Sequence, residues 1–184
     1  MTGGSWTVSP GSLGCAGVSA VVDDSRVAVP GALFVAIKGE LADGHEYVLR
    51  ALERGAGAVC VSQSLPASVL HHCRRAGIPV LTVGDTLGSF QALARQHRRR
   101  FSDLIVVGIT GSCGKTSTKE MVAAVLQVAY PDAVLSTQGN TNNHFGVPRN
   151  LLRLTERHRV AVLEMGSNHP GEIAALARIA EPDL

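Results

Sequence analysis

The chain has 184 residues, of which 45% are hydrophobic and 17% charged, a composition typical of a globular protein with one large or two small domains. A net charge of +2 and an aromatic content of 4% argue against nucleic acid or an anionic membrane as a partner. The sequence has no signal peptide, no stretch long enough to span a bilayer, and no C-x-x-C pair among its four cysteines, so we expect a cytoplasmic protein with reduced thiols.

The first part of the chain predicts strands that alternate with helices. Short β-branched runs predict four strands, at residues 18–22, 33–37, 58–61 and 80–83. Helical patterns follow at residues 45–54, at 66–76, and from 85 or 86 to 100. Pro66 suits a first helical turn, and Asp85 or Thr86 can cap the third helix. We predict a domain boundary between residues 102 and 103.

A basic run ends the third predicted helix, with His97 followed by three arginines at 98–100. These side chains could bind phosphate. We favour a solvated helix end, because cations at a helix C-terminus complement the helix dipole.

The second part of the chain predicts a further set of strands and helices. Strands are expected at residues 104–110, 133–136 and 160–164, helices at 115–128 and 171–180, and a loop rich in Gly and Asn at 138–148. Strands separated by helices form a parallel sheet that binds ligands at its carboxyl edge, so the fold class is α/β. Three strands with an open edge would be an unfinished sheet, so we expect this domain to continue past residue 184.

The segment Gly108-Ile109-Thr110-Gly111-Ser112-Cys113-Gly114-Lys115-Thr116 has the pattern of a phosphate-binding loop. It differs from G-x-x-x-x-G-K-[ST] because its first glycine stands one position early. A strand before it and a helix after it favour nucleotide binding over a chance Gly-rich turn. The predicted ATP-binding residues are Gly111, Ser112, Cys113, Gly114, Lys115, Thr116 and Ser117.

A carboxylate closes the last predicted strand, at Glu164. Beside a phosphate loop, Glu164 and the hydroxyl of Thr116 are predicted ligands of Mg²⁺. The alternative is a helix-capping or ion-paired glutamate. Cys113 could be a reactive thiol at a helix N-terminus, but we favour a small loop residue because no base is near it in the sequence.

The phosphate loop and its surroundings resemble the Mur ligase family. The resemblance runs from about residue 20 to residue 182, and its D-alanyl-D-alanine-adding member is the most similar. The segments that carry it outside the loop are residues 24–26, 30–39, 43–45, 139–143, 146–148, 151–152, 164–168 and 171–173.

This resemblance implies a UDP-muramyl-peptide-binding domain at residues 1–102 and the first part of an ATP-binding central domain at 103–184. It implies that Asp24, Ser25, Arg26 and Lys38 face the uridine diphosphate. Asn140, Asn142 and Asn143 would line the cleft near the substrate and the γ-phosphate. Turn formation is the alternative for the asparagines, because Asn tolerates left-handed backbone.

The activity implied by the resemblance is a monomeric, ATP- and Mg²⁺-dependent ligase that joins D-alanyl-D-alanine to UDP-N-acetylmuramoyl-tripeptide through an acyl phosphate, with Lys115 and Glu164 as catalytic residues. Residues 2–16 are rich in Gly and Ser where the family has an amphipathic segment. The family's remaining central-domain residues and its third domain are also missing. We therefore expect little ligation from the chain alone. The alternatives are a diamino-acid-adding ligase of the same fold, or an inactive nucleotide-binding module.

Overall fold

A computed structural model describes residues 3–10 and 17–184 and divides the chain into two compact units, Met1–Phe90 and Gln91–Leu184. The division falls inside the helix Thr86–Arg98, ahead of the boundary that the sequence predicts at 102/103. Residues 11–16, which include Cys15 and the second part of the Gly/Ser-rich segment, lie outside the described residues. Across the described ranges, no helix combines the length and apolarity needed to cross a membrane.

The first unit is built on a sheet that has five strands within the described residues. They are β1 (Ser5–Val8), β2 (Val21–Val22), β3 (Leu33–Val35), β4 (Ala58–Val61) and β5 (Val80–Thr82), in the order β1-β5-β4-β3-β2. Strands β2 to β5 run parallel, and β1 pairs antiparallel with β5. The four strands predicted for this part are therefore confirmed. Strand β4 has its predicted bounds, β3 and β5 are shorter by one or two residues, and β2 has only two residues.

Two helices contribute small and branched apolar side chains to the core of this unit, α1 (Val48–Glu53), preceded by a 3-10 turn at Gly44–Tyr47, and α2 (Ala67–Ala76). A third helix, α3 (Thr86–Arg98), follows β5, and its Ala94 belongs to the core of the second unit. Pro66 precedes the first residue of α2, and Gly77 ends that helix with a left-handed φ of 67°. Asp85 accepts a hydrogen bond from the Gly88 amide at 3.0 Å, which confirms it as a cap of α3.

The second unit has a parallel sheet of three strands within the described residues, β6 (Ile105–Ile109), β7 (Val134–Ser136) and β8 (Val160–Glu164). Its order is β6-β8-β7, so β8 is central, and all five of its residues are buried. The helices are α4 (Lys115–Ala129), α5 (Gly146–Leu151) and α6 (Glu172–Ala180). Because the strands are parallel, the residues that follow β6, β7 and β8 meet at one edge of the sheet.

Two elements differ from the sequence prediction. Strand β1 was not predicted, because its residues are mostly exposed and its partner lies far along the chain. Helix α5 begins inside the predicted loop at 138–148. The side chain of Asn143 accepts hydrogen bonds from the Phe145 and Gly146 amides, and Pro148 lies in the first turn, where its missing N–H leaves no hydrogen bond unmade.

The basic run at the end of α3 is solvated only in part: Arg99 and Arg100 are exposed as predicted, whereas Arg98 is buried, contrary to the prediction. Arg98 is only 8% exposed and donates to the carbonyls of Ala180 and Glu181. Arg99 pairs with the Glu181 carboxylate, and the His97 ring donates to the Leu154 carbonyl at 3.0 Å. Arg98 and Arg99 therefore bind the end of α6 and the residue after it, whereas His97 binds a residue that follows α5.

Candidate functional site

The Gly-rich turn connects β6 to α4 at the carboxyl edge of the second sheet. Gly114 has a φ of 74°, a left-handed conformation that is unfavourable for any residue with a side chain. Helix α4 begins at the next residue. The N–H groups of the first turn of α4 have no partner within the helix and carry its positive dipole end. This geometry suits an anion such as a phosphate.

The carboxylate of Glu164 reaches the start of α4 from the end of β8. Glu164 is 2% exposed. Its Oε2 accepts a hydrogen bond from the Thr116 hydroxyl at 2.9 Å, and its Oε1 accepts one from the Asn142 amide at 2.7 Å. The structure thus brings together side chains from α4, from β8 and from the loop after β7.

These residues line a cleft of about 420 Å³. Its lining consists of Gly114, Lys115, Thr116, Ser117, Asn140, Asn142 and Glu164, which were all predicted site residues. Lys115 Nζ donates to the Gly111 carbonyl at 2.8 Å, so its ammonium group lies over the turn. The cleft therefore combines a lysine, a hydroxyl, a carboxylate and a helix N-terminus, the groups that bind a nucleotide's phosphates with a cation.

Four other predicted residues have different surroundings. Gly111 and Cys113 belong to the turn, and Cys113 is an exposed free cysteine. Asn143 uses its side-chain oxygen to start α5, which is the turn-forming role that the sequence analysis gave as an alternative. Ser112 is exposed in the same turn.

The donor set fits a hard divalent cation. The Thr116 hydroxyl and the Glu164 carboxylate offer oxygen, the donor that Mg²⁺ prefers. Within residues 3–10 and 17–184, no group of three or more His, Cys, Asp and Glu side chains could hold a metal ion. A cation at this cleft would complete its coordination with water and phosphate oxygens, which is how Mg²⁺ is commonly bound beside nucleotides.

Sequence reasoning missed two buried polar residues behind the cleft. Lys119 is 2% exposed and donates from Nζ to the Thr137 carbonyl at 3.0 Å. Thr137 is 1% exposed, and its hydroxyl oxygen accepts the Glu164 amide at 3.0 Å. The spacing of four residues from Lys115 puts Lys119 on the same helix face, a signal that the sequence contained.

In the first unit, the predicted substrate residues lie near the ends of β2 and β3. Asp24 caps a 3-10 turn at Ser25–Val27 and binds the Arg26 guanidinium at 2.7 Å. The hydrogen bonds that the Arg26 guanidinium donates to Asp24 raise the pKa of Arg26 above its usual value. Ser25 is buried, whereas Lys38 is exposed and its backbone pairs with Asp43. Arg26 and Lys38 thus give this unit exposed cations that could meet an anionic ligand.

A polar network fixes the segment after Lys38. Asp43 accepts from the His45 amide at 3.0 Å, from the His45 ring Nδ1 at 2.6 Å and from the Gln63 amide group. The His45 amide, and then its ring, lower the pKa of Asp43. The other ring nitrogen accepts from the Ser62 amide at 3.0 Å, which ties this segment to the end of β4.

Two family models match the chain. The model of the Mur ligase family, catalytic domain, matches residues 18–96, and that of the Mur ligase middle domain matches residues 109–184. Among curated relatives, the chain is 40% identical over 171 residues to the UDP-N-acetylmuramoyl-tripeptide–D-alanyl-D-alanine ligase of Treponema pallidum (strain Nichols), covering 92% of the chain and 37% of the relative. It is 43% identical over 166 residues to the ligase of that name from Escherichia coli (strain K12), covering 90% and 34%.

Solved structures agree with these relatives. MurF from Acinetobacter baumannii superposes with a TM-score of 0.79 at 37% identity, covering 90% of this chain and 34% of that one. MurF ligase from Thermotoga maritima, solved in complex with ADP, gives a TM-score of 0.75 at 34% identity, covering 90% and 36%. The chain spans about a third of the length of these relatives. The two family models match consecutive parts of the chain, and the relatives are similar to it along about nine-tenths of its length. The chain therefore belongs to the Mur ligase family.

Proposed function

We propose that the chain supplies the UDP-substrate-binding and ATP-phosphate-binding parts of a ligase that joins D-alanyl-D-alanine to UDP-N-acetylmuramoyl-tripeptide. The observation that carries this proposal is the cleft in which Thr116 and Glu164 are hydrogen bonded beside Lys115. The names of the relatives support the choice of substrates, and the ADP in the Thermotoga maritima structure supports the choice of nucleotide.

The two parts of the chain would have separate roles. Residues 1–102 would bind the UDP-muramyl peptide, with Asp24, Ser25, Arg26 and Lys38 facing its uridine diphosphate. Residues 103–184 would bind ATP through the turn at 111–117. The protein would act in the cytoplasm as a monomer on water-soluble substrates, and a net charge of +2 fits a protein without nucleic acid or membrane partners.

In the proposed reaction, the terminal carboxylate of the tripeptide attacks the γ-phosphate of ATP, which gives an acyl phosphate and ADP. The amine of D-alanyl-D-alanine then displaces phosphate and forms the amide bond. The approach of a carboxylate to a polyphosphate is opposed by charge repulsion. Lys115 and the first-turn amides of α4 would offset that repulsion in the cleft.

Thr116 and Glu164 would hold Mg²⁺, which when bound neutralises charge on the phosphate oxygens. Asn142 would keep the Glu164 carboxylate in place through the hydrogen bond at 2.7 Å. Asn140 lines the same cleft and would contact the substrate or the γ-phosphate. Positioning of the attacking carboxylate would supply much of the remaining rate acceleration.

Binding measurements on this chain test the proposal, because the relatives that perform ligation are about three times as long. Calorimetric titration with ATP and Mg²⁺ should show binding that Lys115→Ala weakens about 10- to 100-fold, the loss of a hydrogen bond to a charged group. Arg157→Ala, which removes an exposed cation elsewhere in the second unit, should leave the Kd unchanged.

Titration with UDP-N-acetylmuramoyl-tripeptide tests the other part. Arg26→Ala and Lys38→Ala should each weaken its binding while leaving the affinity for ATP intact. The proposal is overturned if the wild-type chain fails to bind ATP, or if it fails to bind UDP-N-acetylmuramoyl-tripeptide.

A further inference from the structure

A buried lysine lies one helical turn below the phosphate-binding cleft. Lys119 on α4 is 2% exposed, and its Nζ donates to the Thr137 carbonyl at 3.0 Å and pairs with the carboxylate of Glu120. Burial of an ammonium group is costly unless it is paired and hydrogen bonded. Its contact with a backbone carbonyl outside α4 therefore fixes the distance between α4 and the end of β7.

Thr137 makes the second contact in this chain of interactions. It follows β7 directly, is 1% exposed, and its amide donates to the Val162 carbonyl of β8 at 3.0 Å. Its hydroxyl oxygen accepts the amide of Glu164 at 3.0 Å. Thr137 thus continues the pairing of β7 with β8 by one residue and binds the backbone of the residue whose carboxylate enters the cleft.

The loop that carries Asn142 also begins at the end of β7. The Asn142 amide donates to Glu164 Oε1, and the Asn142 carbonyl accepts from the Gly166 amide at 2.9 Å. The Glu164 backbone and its carboxylate are therefore both held by residues of the segment from Thr137 to Asn142. Lys119 connects that segment to the helix that begins at the phosphate-binding turn.

We infer that Lys119 and Thr137 are positioning residues, which set the place of the Glu164 carboxylate and thereby the Mg²⁺ dependence of nucleotide binding. The inference rests on the proposed function. Residues that orient metal ligands commonly affect metal affinity about 10- to 100-fold without touching the metal. A merely structural role would instead lower stability and weaken nucleotide binding equally with and without Mg²⁺.

A matched pair of variants at Thr137 tests this inference. Thr137→Val keeps the shape of the side chain but replaces the hydroxyl by a methyl group, which leaves the buried Glu164 amide without its acceptor. Thr137→Ser keeps the hydroxyl. Lys119→Met and Lys119→Arg form the corresponding pair on α4, the first without the charge and the second with it.

The readout is the ratio of two dissociation constants for ATP, one measured in EDTA and one at saturating Mg²⁺, with thermal unfolding as a check on folding. Thr137→Val and Lys119→Met should reduce this ratio about tenfold, or to one if the wild-type ratio is smaller than ten. Thr137→Ser should restore most of it. Should Thr137→Val fail to fold, the comparison of Lys119→Met with Lys119→Arg carries the test.

The outcomes separate this inference from the proposed function. A wild-type chain that binds no ATP overturns both. A wild-type chain that binds ATP with a Mg²⁺-dependent gain, together with folded variants that keep that gain, overturns the positioning role alone. Equal weakening of both constants, or a wild-type ratio of one, also overturns it.

Discussion

The contact between the end of α3 and Glu181 gives a stability prediction that can be followed with pH. Glu181 accepts charged hydrogen bonds from Arg95 and Arg99, and these hold its pKa at about 2, well below the usual 4.5. The bond from Arg99 is the largest cause. Glu181→Gln removes the charge and keeps the shape, so it measures what this ion pair contributes.

The expected magnitude follows from the pKa and the exposure of the pair. A displacement from 4.5 to about 2 would correspond to about 3 kcal/mol for a group sealed from water. The side chains of Glu181 and Arg99 are 28% and 47% exposed, so solvent screening reduces this contribution to about 1 kcal/mol.

The sign with pH follows from the depressed pKa. Since Glu181 is more acidic in the folded state, its contribution is fully present above pH 4.5 and disappears as the pH falls toward about 2. We expect Glu181→Gln to lower the free energy of unfolding by about 1 kcal/mol at pH 7. The difference from the wild-type chain should shrink below pH 4.5.

The assay must report on the second unit. The single tryptophan, Trp6, belongs to the first unit, so urea unfolding should be followed by circular dichroism. Hydrogen exchange of the peptide covering β6 adds a local readout, because Asp183 accepts from the Val106 amide at 2.8 Å. Glu156→Gln, which removes an exposed carboxylate in a turn, is the control. An unchanged stability at pH 7, or a deficit that persists unaltered to pH 2, would refute the reasoning.

Three further predictions concern the cleft and its loops. Glu164→Gln should weaken Mg²⁺-supported ATP binding about 10- to 100-fold in calorimetry and change binding in EDTA less; equal losses in both would contradict a metal-binding role. In a Cys15→Ser background, the exposed Cys113 should react with a thiol reagent before the buried Cys60, because burial raises the pKa of the Cys60 thiol to about 11. Mg²⁺-ATP should slow the reaction of Cys113. Equal rates at both thiols would contradict the structure. Gly146→Ala should destabilise the chain by about 1–3 kcal/mol in urea unfolding, because the added Cβ would overlap the Thr141 backbone. In the control Gly84→Ala the added Cβ meets no atom within 4 Å, so the stability should not change. Similar values for both variants would refute the clash.

The parts of the fold that the sequence predicted are those whose signal is local. Strands β4 and β8 were predicted with their observed bounds, because each is a continuous apolar run bounded by polar or turn residues. The turn before α4 was predicted from its glycines and from the Lys-Thr pair. Thr116 and Glu164 were expected in one site because parallel strands bring the residues that follow them to a common edge. Asn142 was expected there because of the resemblance to the Mur ligase family.

What the sequence did not predict depends on partners that are distant along the chain. Strand β1 is mostly exposed and forms only because β5 offers it an edge, about 75 residues later. Arg98 was interpreted as a solvated residue because Asp183, which lies 85 residues away, cannot be assigned to it from spacing. Burial of Lys119 likewise depends on the Thr137 carbonyl, which belongs to another element.

A crystal structure of the chain with a non-hydrolysable ATP analogue and Mg²⁺ would test the central claim most directly. The account predicts that the β- and γ-phosphates lie against the turn at 111–116, within hydrogen-bond reach of Lys115 Nζ, and that the cation is bound by Thr116 and Glu164. Phosphates bound elsewhere on the second unit, or a cation without either side chain as ligand, would contradict it.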